Sequence, residues 1–168
     1  KALYVGISQY QPAEAERAAN ILRSMGTPLL IHQPRYSMFD RWVEGGLLDV
    51  LENQGVGAIA FSPLEQGILT DKYLKGLPKN SRIVKDGRYL KKDKLTPELL
   101  ERVRQLNEIA KGRGQSLAQM AVAWLLKDAR ITSVLVGASS PNQLLDNIGA
   151  LKNQQFEADE LRAIAKWI

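Results

Sequence analysis

The residues most suited to chemistry sit where a strand meets a helix. An apolar run over Ser133–Gly137 leads into Gly137-Ala138-Ser139-Ser140-Pro141, and a helical pattern follows at once. A helix N-terminus carries unpaired amides and a partial positive charge, so small residues before it can admit an anion such as a phosphate. The same residues also form a stop-and-start signal. Ser140 is a cap, Pro141 suits the first helical position, and Gln143 completes a capping box. A second candidate is basic. Lys79, Arg82, Lys85, Arg88, Lys91, Lys92 and Lys94 face only Asp86 and Asp93 over the same stretch. That composition suits a solvated loop, or a loop in which one or two cations clamp a phosphate. A third candidate fails on position. Gly55-Val56-Gly57 precedes a strand, so it is a turn and not a dinucleotide-binding glycine loop.

The elements that position these residues alternate. Short apolar runs over Ala2–Ser8, Leu29–His32, Gly57–Ser62 and 133–137 read as buried strands. Helical patterns fall over 13–25, with Pro12 near the start and Gly26 as the stop, and over Leu47–Glu52. Another runs from the cap at Thr96 to Lys111, and a fourth over 116–128 with a Ser116/Gln119 capping box. The helix after Ser140 follows, and an amphipathic helix closes the chain over 158–168. A polar loop spans 74–95. Strand-helix alternation, with one extra helix in the third crossover, implies a parallel sheet. Periodicity alone leaves two arrangements open, an open doubly wound sheet and part of a barrel.

The bulk numbers restrict the class. The chain has 168 residues with 45% hydrophobic and 24% charged, ordinary for one globular domain. It has no cysteine, which excludes disulfides and thiolate metal sites and fits a reducing compartment. No run reaches the length of a membrane helix, and the first residues lack a signal-peptide pattern. The expectation is a cytoplasmic protein without membrane contact. A net charge of +5 is mild, and the basic loop lacks interleaved aromatics beyond Tyr89, so nucleic acid is not an expected partner.

GIS at 6–8, HQPRYSMFDR at 32–41, FSPLEQGILTDKY at 61–73 and VLVGASSPNQLLDN at 134–147 resemble aldo-keto reductases. The resemblance extends over nearly the whole chain and is closest to the branch of bacterial glyceraldehyde-phosphate reductases and potassium-channel β subunits. It implies a TIM-type (β/α)8 barrel, of which residues 1–168 form the C-terminal half, strands five to eight, with no second domain. The family's catalytic aspartate, tyrosine, lysine and histidine lie on earlier strands, so no catalytic residue carries over. His32 follows the GIS strand, whereas the family's catalytic histidine precedes it. His32 is therefore expected to be a structural residue.

The resemblance further implies NADPH/NADP as cofactor, with this chain supplying most of its site and no metal. Ser8 and Gln33 match positions that bind the nicotinamide carboxamide. Gln9 stands where relatives carry asparagine or arginine. Phe61 is either a ring stacked on nicotinamide or a core residue. Ser62, Pro63, Leu64, Gln66 and Gly67 match the pyrophosphate loop, and Lys72 and Arg82 match nearby cations. Gly137, Ser139 and Gln143 match the 2′-phosphate site, with Gln143 alternatively a plain capping residue. Asp146 and Asn147 match residues that bind the adenine amino group. The implied reaction of the intact barrel is reduction of a small aldehyde or ketone, such as L-glyceraldehyde 3-phosphate or methylglyoxal, to an alcohol. This chain alone would be inactive. The competing reading is a non-catalytic nucleotide-binding or regulatory module, or an orphan half barrel. Two open strand edges predict association, with the missing N-terminal half or as a homo-oligomer.

Overall fold

The computed structural model describes residues 2–74, 76 and 95–168. The basic-loop residues Lys79–Lys94, Arg82 among them, lie outside the described residues. The strands are β1 (Val5–Ser8), β2 (Leu29–Gln33), β3 (Gly57–Ala60) and β4 (Ile131–Val134). The helices are α1 (Pro12–Ser24), α2 (Leu47–Gln54), α3 (Pro97–Gly112), α4 (Leu117–Leu126), α5 (Pro141–Ile148) and α6 (Ala158–Ala165). Single 3₁₀ turns at Trp42–Glu44, Glu65–Gly67, Asp71–Tyr73 and Gly149–Lys152 have no counterpart in the sequence expectation. The chain divides into two compact units, residues 1–63 with 125–135, and residues 64–124 with 136–168.

The first unit is built on the sheet. All neighbouring strands pair in parallel, in the order β1-β2-β3-β4. A doubly wound sheet reverses its order at a switch point, and none occurs among these strands. Sequential parallel order is consistent with half of a TIM-type barrel. Gly6 lets β1 lie close to β2, since a Cβ there would sit 2.8 Å from Ile31 Cγ2. β4 departs from its expected span. It begins at Ile131 because the Asp128 carbonyl accepts from the Ile131 amide, setting the strand directly after a turn. Between β3 and β4 the ladder skips Thr132, whose Oγ1 accepts from the Ala58 amide at 3.2 Å. β1 is shorter than expected, and Leu3 and Tyr4 stand exposed before it. The core of this unit gathers Ala15 and Ala19 of α1, Leu47, Leu48 and Leu51 of α2, and Ala58 and Ala60 of β3.

The helix ends follow local chemistry. α2 stops at Gly55, whose φ of 68° suits glycine, with the Val56 amide donating back to the Leu51 carbonyl. The Thr96 and Ser116 caps form as expected, through Leu99 N at 3.2 Å and Gln119 N at 3.2 Å. A further capping box at Gln11 and Glu14 was not expected, because glutamine is a weak cap by type.

The second unit is helical. α3 buries Val103, Leu106 and Ala110, and α4 buries Met120, Ala121, Ala123 and Trp124. α4 is apolar almost all round, as a helix enclosed on every side is. The unit's polar anchor is Arg113, whose side chain is 2% exposed and lies 2.5 Å from Glu160. Its guanidinium also donates to the Gln155 carbonyl at 2.7 Å and stacks on Phe156 at 3.7 Å. α6 ends at Ala165, three residues short of the expected end, and the Trp167 carbonyl accepts from Arg102.

Candidate functional site

Parallel register places Ser8 opposite Gln33 at the C-terminal ends of β1 and β2. Ser8 Oγ donates to the Gln33 carbonyl at 2.7 Å, so these expected carboxamide ligands are neighbours. The next residues repeat the tie. Gln9 Oε1 accepts from the Arg35 amide at 2.7 Å, and His32 Nε2 lies 3.1 Å from the Tyr10 amide. His32 is fully buried. Burial pushes its pKa below the ordinary imidazole value, against the opposing effect of the Tyr10 backbone bond. A neutral, buried, backbone-bonded imidazole is structural, in line with the sequence expectation.

Phe61 lies one residue beyond β3 and bridges Arg35 in parallel fashion. Its amide donates to the Pro34 carbonyl at 3.0 Å, and its carbonyl accepts from the Tyr36 amide at 3.2 Å. The half-buried ring is thus carried on a backbone continuous with the β2 end. Ser62 follows with φ of 56°, and Pro63 is buried.

In the second unit the chain continues through Leu64 into left-handed backbone at Glu65 (φ 45°), Gln66 (φ 56°) and Gly67 (φ 95°). The Gly67 amide donates to the Leu64 carbonyl at 2.8 Å, and Thr70 Oγ1 donates to the Gly67 carbonyl at 2.7 Å. Among the described residues, the non-glycine residues with positive φ are Gln9, Ser62, Glu65 and Gln66. Each such residue costs on the order of 1–3 kcal/mol and persists only where the surroundings enforce it. All four follow β1 or β3 closely, in the loops expected to bind cofactor. Lys72 is exposed, with Nζ 5.8 Å from the Tyr73 ring centroid.

The helix start at α5 departs from the expected capping box. Ser140 Oγ accepts from the Gln143 amide at 3.3 Å, as a cap does. Gln143 Oε1 instead turns to Ser139, accepting from its amide and its hydroxyl at 2.8 Å each. The reciprocal bond moves one residue outward because the Ser139 amide and hydroxyl converge on one oxygen. Gly137 is exposed, with nothing within 4 Å of where a Cβ would stand. Asn147 is buried. Asp146 is held by α4, accepting from Ser116 Oγ at 3.1 Å and Gln119 Nε2 at 2.8 Å. Sequence reading missed this pairing, as it missed the Gln9 brace, since both join residues well apart in the chain.

A polar trio also lies in the first unit. Tyr36 donates to Glu44 at 2.8 Å, and Arg41 grips the same carboxylate at 2.9 and 2.6 Å. Burial works against ionisation of Glu44, but the Arg41 and Tyr36 bonds prevail and lower its pKa. Among the described residues no cluster of His, Cys, Asp or Glu could hold a metal ion. None of the helices there is long and apolar enough to cross a membrane.

A parallel sheet whose strands alternate with helices defines an α/β protein. Residues 1–168 match the aldo/keto reductase family model, and the chain belongs to that family. It is 53% identical over 172 residues to the L-glyceraldehyde 3-phosphate reductase of Escherichia coli (strain K12), covering 100% of this chain and 50% of that protein. It is 36% identical over 157 residues to a putative voltage-gated potassium channel subunit beta of Schizosaccharomyces pombe, covering 90% and 46%. A probable subunit of the same kind from Oryza sativa subsp. japonica is 37% identical over 156 residues, covering 89% and 47%. The chain spans about half the length of these curated relatives.

Proposed function

We propose that this chain is the cofactor-binding, C-terminal half of a cytoplasmic oxidoreductase that uses NADPH to reduce small aldehydes or ketones. The observation that carries the reading is the positive-φ backbone of Gln9 and Ser62, which follow β1 and β3 in the first unit, together with the Ser8–Gln33 pair at the strand ends. Strain of this kind clusters at ligand sites. The donor set suits an extended dinucleotide. Ser8 and Gln33 offer hydroxyl and amide groups to a carboxamide, and Phe61 offers a ring face. Ser62 to Gly67, with Lys72 and Arg82, suit a pyrophosphate. Gly137, Ser139 and Gln143 at the α5 start suit a further phosphate, and Asp146 and Asn147 an adenine.

When bound, NADPH supplies the hydride. The role of this chain is to orient and hold it. The hydrogen-bonding pair fixes which nicotinamide face meets the carbonyl, and hydride transfer tolerates little misplacement. None of its residues is assigned to proton donation, so the chain by itself is proposed to be inactive. It would act with an N-terminal half that completes the barrel, and the open β1 and β4 edges favour that association or a homo-oligomer. The whole-chain 53% identity to a reductase, against 36–37% to channel subunits, favours catalysis over a nucleotide-binding regulatory role, and L-glyceraldehyde 3-phosphate as substrate class.

The test is fluorescence titration of the purified chain with NADPH and NADH. Saturable binding that favours NADPH, and weakens in a Ser8→Ala, Gln33→Ala variant of unchanged thermal stability, supports the reading. Absence of saturable binding to either sinks it.

A further inference from the structure

Asp146 is exposed, and an exposed carboxylate ordinarily samples several rotamers. Here each oxygen has a donor from the start of α4, Ser116 Oγ on Oδ2 and Gln119 Nε2 on Oδ1. The orientation of the Gln119 amide is dictated by its partners. Its Oε1 accepts from the Ser116 amide at 3.1 Å, so its NH₂ must face the carboxylate. Ser116 Oγ in turn accepts from the Gln119 amide at 3.2 Å while donating to Asp146. An ordinary capping box closes on itself, but this one is extended outward to hold a third residue.

A separate feature makes room for it. Gly149 follows α5 with φ of −56°, a backbone that alanine adopts freely. A Cβ there would stand 2.6 Å from Gln119 Nε2 and 3.2 Å from its Cδ. The backbone there would accept alanine, but its Cβ would displace the Gln119 amide from its place against Asp146. All four residues belong to the second unit.

We infer that Ser116, Gln119 and Gly149 are positioning residues, which fix the Asp146 carboxylate as acceptor for the exocyclic amino group of a bound purine and so set a preference for adenine over hypoxanthine. The inference rests on the dinucleotide-binding reading above. A carboxylate offers about four lone-pair sites, and two are used here, so acceptor capacity remains for an amino N–H. Holding the side chain in advance spares its ordering on binding.

The test compares affinities for NADPH and for its reduced hypoxanthine analogue, which lacks that amino group, by fluorescence titration. The parent chain should favour NADPH by about tenfold, the worth of one charge-assisted hydrogen bond. Gly149→Ala and Gln119→Met should lower NADPH affinity to that of the analogue and leave the analogue's own affinity unchanged. Ser116→Thr keeps a hydroxyl and should keep the preference. The unchanged analogue affinity also reports that each variant is folded. Equal loss for both nucleotides, or a preference that survives in Gly149→Ala and Gln119→Met, would overturn the positioning role. A parent that binds both nucleotides equally overturns the amino-group contact alone. A parent that binds neither overturns the dinucleotide reading itself, and this inference with it.

Discussion

The strand-end loops of the first unit and the α5 region of the second are organised on different principles. At the strand ends, side chains bond to the backbone of the neighbouring strand or the segment beyond it: Ser8 to Gln33, Gln9 to Arg35, His32 to Tyr10. Positions there follow from the register of a parallel sheet, and the left-handed backbone of Gln9 is accompanied by its side-chain bond to the Arg35 amide. At α5 the bonds are local or run to other helices, and the leading residues Gly137 to Ser140 are exposed. The first arrangement suits orientation of a reacting ring, where a small displacement is costly. The second suits a group bound at an exposed helix start.

The largest expected effect lies in the helical unit. Arg113→Ala would remove the guanidinium's bonds to the partly exposed Glu160 and to the Gln155 carbonyl, at a cost of about 1.5–3 kcal/mol for hydrogen bonds to a charged group. Urea unfolding measures it, and a loss under 1 kcal/mol would show that the second unit does not depend on this anchor. Next comes the sheet. Gly6→Ala would press a Cβ on Ile31 Cγ2 and cost about 1–3 kcal/mol by overpacking. Because Ser8 lies two residues on, NADPH affinity should fall with it. Unchanged affinity in a destabilised variant would separate register from the site.

A third test uses pH. His32 has a lowered pKa in the folded chain, so between that value and the ordinary 6.5 the unfolded chain binds more protons. Stability therefore falls as pH falls through 6.5 and levels off below the folded-state value. Thermal melts of the parent and of His32→Gln between pH 7.5 and 5 measure the difference in slope, and parallel slopes would show that His32 does not carry this pH dependence. The smallest effect is expected at α5. Ser140→Ala should cost about 1 kcal/mol as a lost cap, and Ser140→Gly only a few tenths. A much larger loss would mean that the α5 start is tied into the fold as firmly as the strand ends.

Element order, the extra helix and most helix ends were legible in the chain. Thr96, Ser116 with Gln119, and the glycines after α1 and α2 act within a few residues, so their type and spacing suffice. The β4 span was misread because Gly137 and its neighbours look apolar or small enough to continue the strand, whereas the Asp128 turn starts it at Ile131. The α5 box was misread by one residue because Ser139 and Ser140 compete for the same glutamine, and type alone does not rank them.

By itself, the sequence determined where helices begin and stop, the strand-helix alternation, the family, and which residues were candidates for the site. Those features rest on interactions between near neighbours, or on motifs read in a line. Only the tertiary structure decided that Ser8 meets Gln33, that Gln9 braces Arg35, that Asp146 is held by Ser116 and Gln119, and that Arg113 anchors Glu160. Each of these pairs closes a long loop of chain. A bond of that kind becomes favourable only after packing of the intervening segments has met the entropy of closure, which no local pattern encodes.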